Sequence, residues 1–195
     1  MPLVDPLPDA ETPPELAEFF NITLGGTPNS IRTMSHRPEI ARAFTALNRA
    51  VMANHGALTD ELKRLIGYMT SRVTGCRYCQ AHTVLAATRF GTTDERLRDL
   101  WTYRDSAHFT AAEKVAFDFA IAAASVPNAV DDDIASAMRE HWDDGDIVEI
   151  LGVVALFGYL NRWNDSMATT LEALPTQTAS QHLSVDGWSA GKHGT

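Results

Sequence analysis

Cysteine is nearly absent from this chain: 195 residues contain two, Cys76 and Cys79. Positive charge is also scarce, with 16 Lys and Arg against 25 Asp and Glu and a net charge of −9 at pH 7. Affinity for a phosphate backbone comes mainly from Lys and Arg, so this balance, with no basic run, argues against a nucleic-acid partner. The longest apolar run, Ile150 to Leu160, falls well short of the ~20 residues that a spanning helix needs. The first thirty residues contain Pro2, Pro6, Pro8, Pro13 and Pro14, and no positive segment leads into an apolar one, so no secretion signal is expected. The expectation is a soluble cytoplasmic protein without a membrane partner. In that reducing compartment a close cysteine pair is redox-active or metal-bound more often than it is a permanent staple. No segment alternates apolar and polar residues convincingly, so strands are not expected.

What is present is helical patterning. Residues 1–30 read as an extended proline-rich arm, 31–175 as one helical domain and 176–195 as an irregular tail rich in Ser, Thr and Gly. Ile40, Phe44, Leu47 and Val51 fall three or four apart and form one apolar stripe over Glu39 to Asn54. Thr59 is a candidate N-cap, with Asp60 and Glu61 in the first turn where the helix dipole favours anions. That helix should reach Val73 and break at Thr74-Gly75. The next should run from Cys76 to Phe90 and stop at Gly91. Thr92 with Glu95, and Thr110 with Glu113, read as capping boxes. Further helices are expected over Asp131 to Trp142 and from Asp146 to Leu174, the latter closed by Pro175. The predicted fold class is all-α.

Cys76, Cys79 and His82 are successively three residues apart, which puts all three on one helix face. Two thiols at this spacing can bridge each other or share a metal. Cys76, Cys79 and His82 supply three zinc ligands where a structural site takes four, and two inert, packed cysteines are a further alternative. A helix N-terminus stabilises an anion by ~0.3–1 kcal/mol. One pKa unit corresponds to ~1.4 kcal/mol, so the dipole alone cannot ionise a thiol at neutral pH. His82 as base and Arg77 as nearby cation are the candidates to assist. The chemistry that follows is attack of Cys79 on a hydroperoxide to give a sulfenic acid, condensation with Cys76, and reduction of the bridge by an external dithiol.

The stretch Ser71-Arg72-Val73-Thr74-Gly75-Cys76-Arg77-Tyr78-Cys79-Gln80-Ala81-His82-Thr83 resembles the core motif of the AhpD-like, or carboxymuconolactone decarboxylase, superfamily, in its peroxidase-related alkylhydroperoxidase branch. Residues 156–165 and the ending Gly187-Trp188-Ser189-Ala190-Gly191-Lys192-His193 resemble it too. The resemblance implies an all-helical fold around an antiparallel hairpin carrying the CxxCxxH motif, and homo-oligomers, often trimers or hexamers. It also implies thiol peroxidase activity for members that keep both cysteines, with Cys79 as the peroxidatic thiol; no bound cofactor or metal is expected. Such relatives complete a proton relay with a histidine and a glutamate. Their histidine usually follows the second cysteine by four residues, a place held here by Thr83, whereas His82 follows by three. Their relay glutamate lies twelve residues before the first cysteine, a place held here by Arg64, which leaves Glu61, one turn away, as the candidate. Asn161, Arg162, Asn164 and Asp165 interrupt an apolar helix. Either Arg162 and Asp165 pair with each other, or the cluster, Asp165 foremost, orients His82 or contacts substrate. The candidate catalytic set is therefore Cys79, Cys76, His82, Glu61 and Asp165. The partners expected are a small hydroperoxide, a thiol reductant and further copies of the chain. Competing readings are an oxidant-sensing disulfide switch and thiol-independent decarboxylase or lactone chemistry.

Overall fold

The computed structural model describes residues 1–194, and of Thr23 the backbone only. Its elements in chain order are α1 (Pro14–Leu24), α2 (Asn29–Met34), α3 (Pro38–Met52), α4 (Asp60–Thr74) and α5 (Arg77–Arg89), followed by α6 (Asp94–Asp99), α7 (Ala111–Ala124), α8 (Asp132–His141), α9 (Asp144–Met167) and α10 (Ala173–Leu183). Among the described residues no strand forms, and no helix is long and apolar enough to cross a membrane.

The centre of the fold is the hairpin of α4 and α5, with α7 and α9 packed on α4 and α10 on α5. Its start follows from Thr59, whose hydroxyl accepts the Leu62 N–H at 3.1 Å, as N-cap chemistry predicts. Its turn is a Schellman motif. Gly75 adopts φ 80°, Gly75 N–H donates to Arg72 O at 3.2 Å and Cys76 N–H donates to Ser71 O at 3.1 Å. Glycine enters this left-handed conformation without a Cβ penalty, so α4 ends sharply and Cys76 is delivered to the start of α5. The main core gathers Leu65, Ile66, Tyr68, Met69, Tyr78, Val84, Phe117 and Val153. A second, smaller cluster holds Leu16 and Phe20 of α1, Ile31 and Met34 of α2 and Phe44 of α3 against Leu156 of α9.

Four expectations change. Residues 14–24 are helical rather than extended. Pro14 is the first helical residue, where its missing N–H costs nothing, and Leu16 and Phe20, one turn apart, are both buried. The long helix ends at Met167, seven residues short of Leu174, because Ala168 turns left-handed at φ 48°. The tail is not irregular throughout: α10 follows, with Pro175, Ala179 and Leu183 buried at four-residue intervals. The cap before α6 is Thr93, one residue beyond the expected Thr92.

Candidate active site

Cys76 is the N-cap of α5, and its Sγ accepts the Cys79 N–H at 3.4 Å. The partial positive charge at the helix start therefore falls on the Cys76 sulfur. Cys79 sits one turn inward and is 2% exposed. The Thr83 hydroxyl is turned back onto Cys79 O at 2.9 Å and Gln80 O at 2.9 Å, and the Gln80 amide reaches Ser71 O at 3.2 Å. These bonds fix the face that carries the thiols.

A cavity of about 430 Å³ opens beside Cys79 and His82. Phe19, Phe20, Ile31, Phe44 and Phe157 wall it, with Asn164, Arg64 and Asp60 among its polar lining. Its wall draws on both hydrophobic clusters, and the N-terminal helix supplies one side. Cys79 lines this space; Cys76, fully buried, does not. The Gly67 backbone makes the cavity wall possible. A Cβ there would stand 2.5 Å from the Phe157 ring, so only glycine lets α9 bring that ring against α4.

His82 Nε2 lies 2.8 Å from Glu172 Oε2, and the Tyr78 ring stacks on the imidazole at 4.4 Å. Glu172 Oε1 accepts the Tyr78 hydroxyl at 2.9 Å and the Asn29 N–H, while Ser30 N–H donates to the Tyr78 oxygen at 3.2 Å. Burial alone raises the Glu172 pKa. The His82 charge and hydrogen bond, with backbone N–H donors, outweigh it and hold the carboxyl below its ordinary value. The Tyr78 hydroxyl is pushed well up, by burial first and by the Glu172 charge second, so it stays a donor.

The Cys79 thiol is likewise pushed well above its ordinary value. Burial is the main cause, and the hydrogen bond and charge of Cys76 add to it. The helix start gives Cys79 even less help than its weak dipole allows: the favoured sulfur position is taken by Cys76, and Cys79 lies in low dielectric, where the charged form is penalised. Nor is Arg77 the assisting cation, since its guanidinium is spent on Gly187 O at 3.3 Å and Ser189 O at 3.2 Å. One group counters the rise: Asn164 Nδ2 donates to Cys79 Sγ at 3.4 Å.

The structure thus sets Cys79 and His82 on the wall of one cavity, with Cys76 behind Cys79 and accepting its N–H, and leaves two other candidates elsewhere. Glu61 pairs with Arg96 at 2.8 Å, whose other arm holds Glu113 at 2.6 Å, because Glu61 sits at the far end of α4 from the turn. Asp165 pairs with Lys192 at 2.8 Å and lies 3.7 Å from His193. It braces the C-terminal segment instead of meeting Arg162 or His82. The acid beside His82 is Glu172, which the sequence reading enclosed within the last helix. Pro175 was the available signal, since proline is tolerated in the first turn of a helix and so marks a start there as well as an end; that the cap falls on Glu172 is seen only in the structure. Among the described residues no three or more His, Cys, Asp or Glu side chains converge as a metal-holding set.

Residues 38–122 match the model of the carboxymuconolactone decarboxylase family. The uncharacterized protein YdfG of Bacillus subtilis (strain 168) is 25% identical over 103 residues, spanning 52% of this chain and 68% of that protein. The crystal structure of the apo debrominase Bmp8 overlays with a TM-score of 0.86 at 30% identity, covering 92% of this chain and 97% of that one. A cysteine-to-alanine variant of that debrominase has been solved in complex with 2,3,4-tribromopyrrole. An uncharacterized peroxidase-related protein from Silicibacter sp. TM1040 overlays at 0.74 with 25% identity, covering 88% and 90% of the two chains.

Proposed function

The chain belongs to the carboxymuconolactone decarboxylase, or AhpD-like, superfamily, and we propose that it is a thiol-dependent oxidoreductase that reduces an organic hydroperoxide at Cys79. One observation carries this reading: of two adjacent thiols, only Cys79 faces an aromatic-walled cavity, beside a histidine braced by a half-buried carboxylate. Cys76 waits behind it, its Sγ accepting the Cys79 N–H at 3.4 Å.

The resting Cys79 is a thiol, because burial penalises its charged form. His82 accepts its proton and Glu172 stabilises the imidazolium that results. The sulfur attacks the terminal oxygen of ROOH. The O–O bond breaks, RO⁻ leaves and takes the proton from His82 as ROH, and Cys79 becomes a sulfenic acid. The Cys76 thiol attacks that sulfur, an S–S bond forms, and the hydroxyl departs with the Cys76 proton as water. An external dithiol restores both thiols by exchange. The apolar cavity favours a hydroperoxide bearing a hydrocarbon group, since its burial contributes ~25 cal/mol per Å² of apolar surface. Ile40 and Leu47 of α3 and Val148 and Leu151 of α9 are exposed, which supports the expected self-association.

A second reading is reductive dehalogenation, favoured by the 30% identity to a debrominase over nearly the whole of both chains. There an aryl halide and two thiols give the arene carrying hydrogen in place of halogen, a disulfide, and hydrogen halide. The same cavity and sulfur pair serve both reactions.

Dithiothreitol-driven turnover of cumene hydroperoxide, with a bromopyrrole assayed in parallel for bromide release, tests the proposal. Cumyl alcohol formation lost in Cys79→Ser, and limited by slow recycling in Cys76→Ser, is the expected result. Bromide release without hydroperoxide turnover selects the second reading. Undiminished turnover in Cys79→Ser refutes both, and a single oxidation without cycling leaves only a disulfide switch.

A further inference from the structure

We propose that Asn164 is a catalytic residue of this site: its side-chain amide donates directly to Cys79 Sγ and carries part of its negative charge as the thiol ionises. The inference rests on the thiol-dependent reading above and extends it to a residue on a different helix, 85 positions along the chain from Cys79.

The geometry is direct. Asn164 is 1% exposed, lines the cavity and points Nδ2 at the sulfur from 3.4 Å. Its Oδ1 has no hydrogen-bond partner. A buried asparagine held for structure has both ends of its amide paired. Here the one bond is to the reacting atom, so the sulfur is what the amide serves. A half-turn of the amide offers Oδ1 to the S–H instead, so one side chain matches the thiol before ionisation and the thiolate after it.

The other charged and titratable groups around Cys79 have their hydrogen bonds elsewhere, which leaves the direct bond to the sulfur to the amide. Cys76 and Asp165 disfavour a charged Cys79. His82 is committed to Glu172 at 2.8 Å, and Arg64, across the cavity on α4, is held by Asp60 at 2.9 Å. Tyr78 donates to Glu172, Arg77 is bound to the C-terminal segment, and His193 is turned to Thr169 O at 2.8 Å. The amide is the one group in the site that lowers the Cys79 pKa.

The test is the pH dependence of Cys79 alkylation by iodoacetamide, followed by peptide mass spectrometry on the full chain, in wild type and Asn164→Leu. Leucine keeps the volume and removes the donor. A hydrogen bond to a charged group has a strength that translates to about one to two pH units. The midpoint for Asn164→Leu should rise by that amount, and alkylation at pH 7 should fall about 10- to 100-fold. Asn164→Asp should raise the midpoint further, because a carboxylate repels the thiolate. Should the leucine variant not fold, Asn164→Ala and Asn164→Asp carry the test with the same signs. An unchanged midpoint in any folded variant overturns the proposal, and so does a wild-type Cys79 that is unreactive up to pH 11. A reactive Cys79 with the expected shifts but no turnover sinks the proposed reaction and leaves the asparagine assignment standing.

Discussion

Replacing Glu172 with glutamine separates a relay from a packing contact. Oε1 receives two donors, the Tyr78 hydroxyl at 2.9 Å and the Asn29 N–H. In Glu172→Gln the amide oxygen must stay at that position, because turning the NH₂ there would set three donors against one another. The NH₂ is then forced onto His82 Nε2, now 2.8 Å from a carboxylate oxygen. Nε2 must present its lone pair, so the ring proton moves to Nδ1, and the imidazole is locked in the tautomer whose other nitrogen cannot accept a proton. Two consequences differ in size. The fold keeps the Tyr78 and Asn29 bonds and exchanges a charge-assisted bond for a neutral one, costing ~1 kcal/mol. Turnover loses general-base help and the stabilised imidazolium, typically ~10²–10⁴-fold, or about 3–5 kcal/mol of barrier. Steady-state kcat for cumene hydroperoxide with excess dithiothreitol, alongside a thermal melt, reads both. A folded Glu172→Gln enzyme within threefold of wild-type kcat would refute the relay.

The remaining expectations concern stability. The Glu172 carboxyl is held below its ordinary value, so its contribution is complete above the unfolded-state value and is lost as pH falls through the lowered folded value; acid titration of unfolding below pH ~4.5 should be shallower in Glu172→Gln than in wild type. Lys63, fully buried, is bonded to Val51 O at 3.0 Å and to Ala53 O, and is ion-paired with Glu149. Lys63→Met strands the Glu149 charge and should cost ~3–5 kcal/mol in a denaturant melt, most of it recovered in Lys63→Met with Glu149→Leu. Gly67→Ala drives a methyl group into the Phe157 ring and should cost ~1–3 kcal/mol, measurable as a lowered Tm; an unchanged Tm means that α9 shifts freely.

Much of the helical framework was legible in the sequence because its punctuation is local. Thr59, Gly75 and the Thr110–Glu113 box satisfy backbone groups within one turn of themselves, so their identity alone places the ends of α4 and the start of α7. The shared side of Cys79 and His82 follows from helical periodicity in the same way, since residues three apart on α5 are neighbours, whereas Cys76 is the cap before α5 and stays behind Cys79. Glu172 and Asn164 escaped that kind of reading. Each meets α5 across 85 to 94 positions of chain, and which side chain arrives there depends on the turn at Ala168 and on how α9 and α10 pack. The assignment of Glu61 failed geometrically for the same reason, since spacing along α4 says nothing about Arg96 arriving from α6. The residues by themselves therefore determined that two thiols adjoin at a helix start and that an imidazole follows one turn on. Packing decided which sulfur faces an apolar cavity, which acid braces the histidine and how strongly the thiol is held protonated, because desolvation and partner charge exist only once distant segments close over the site.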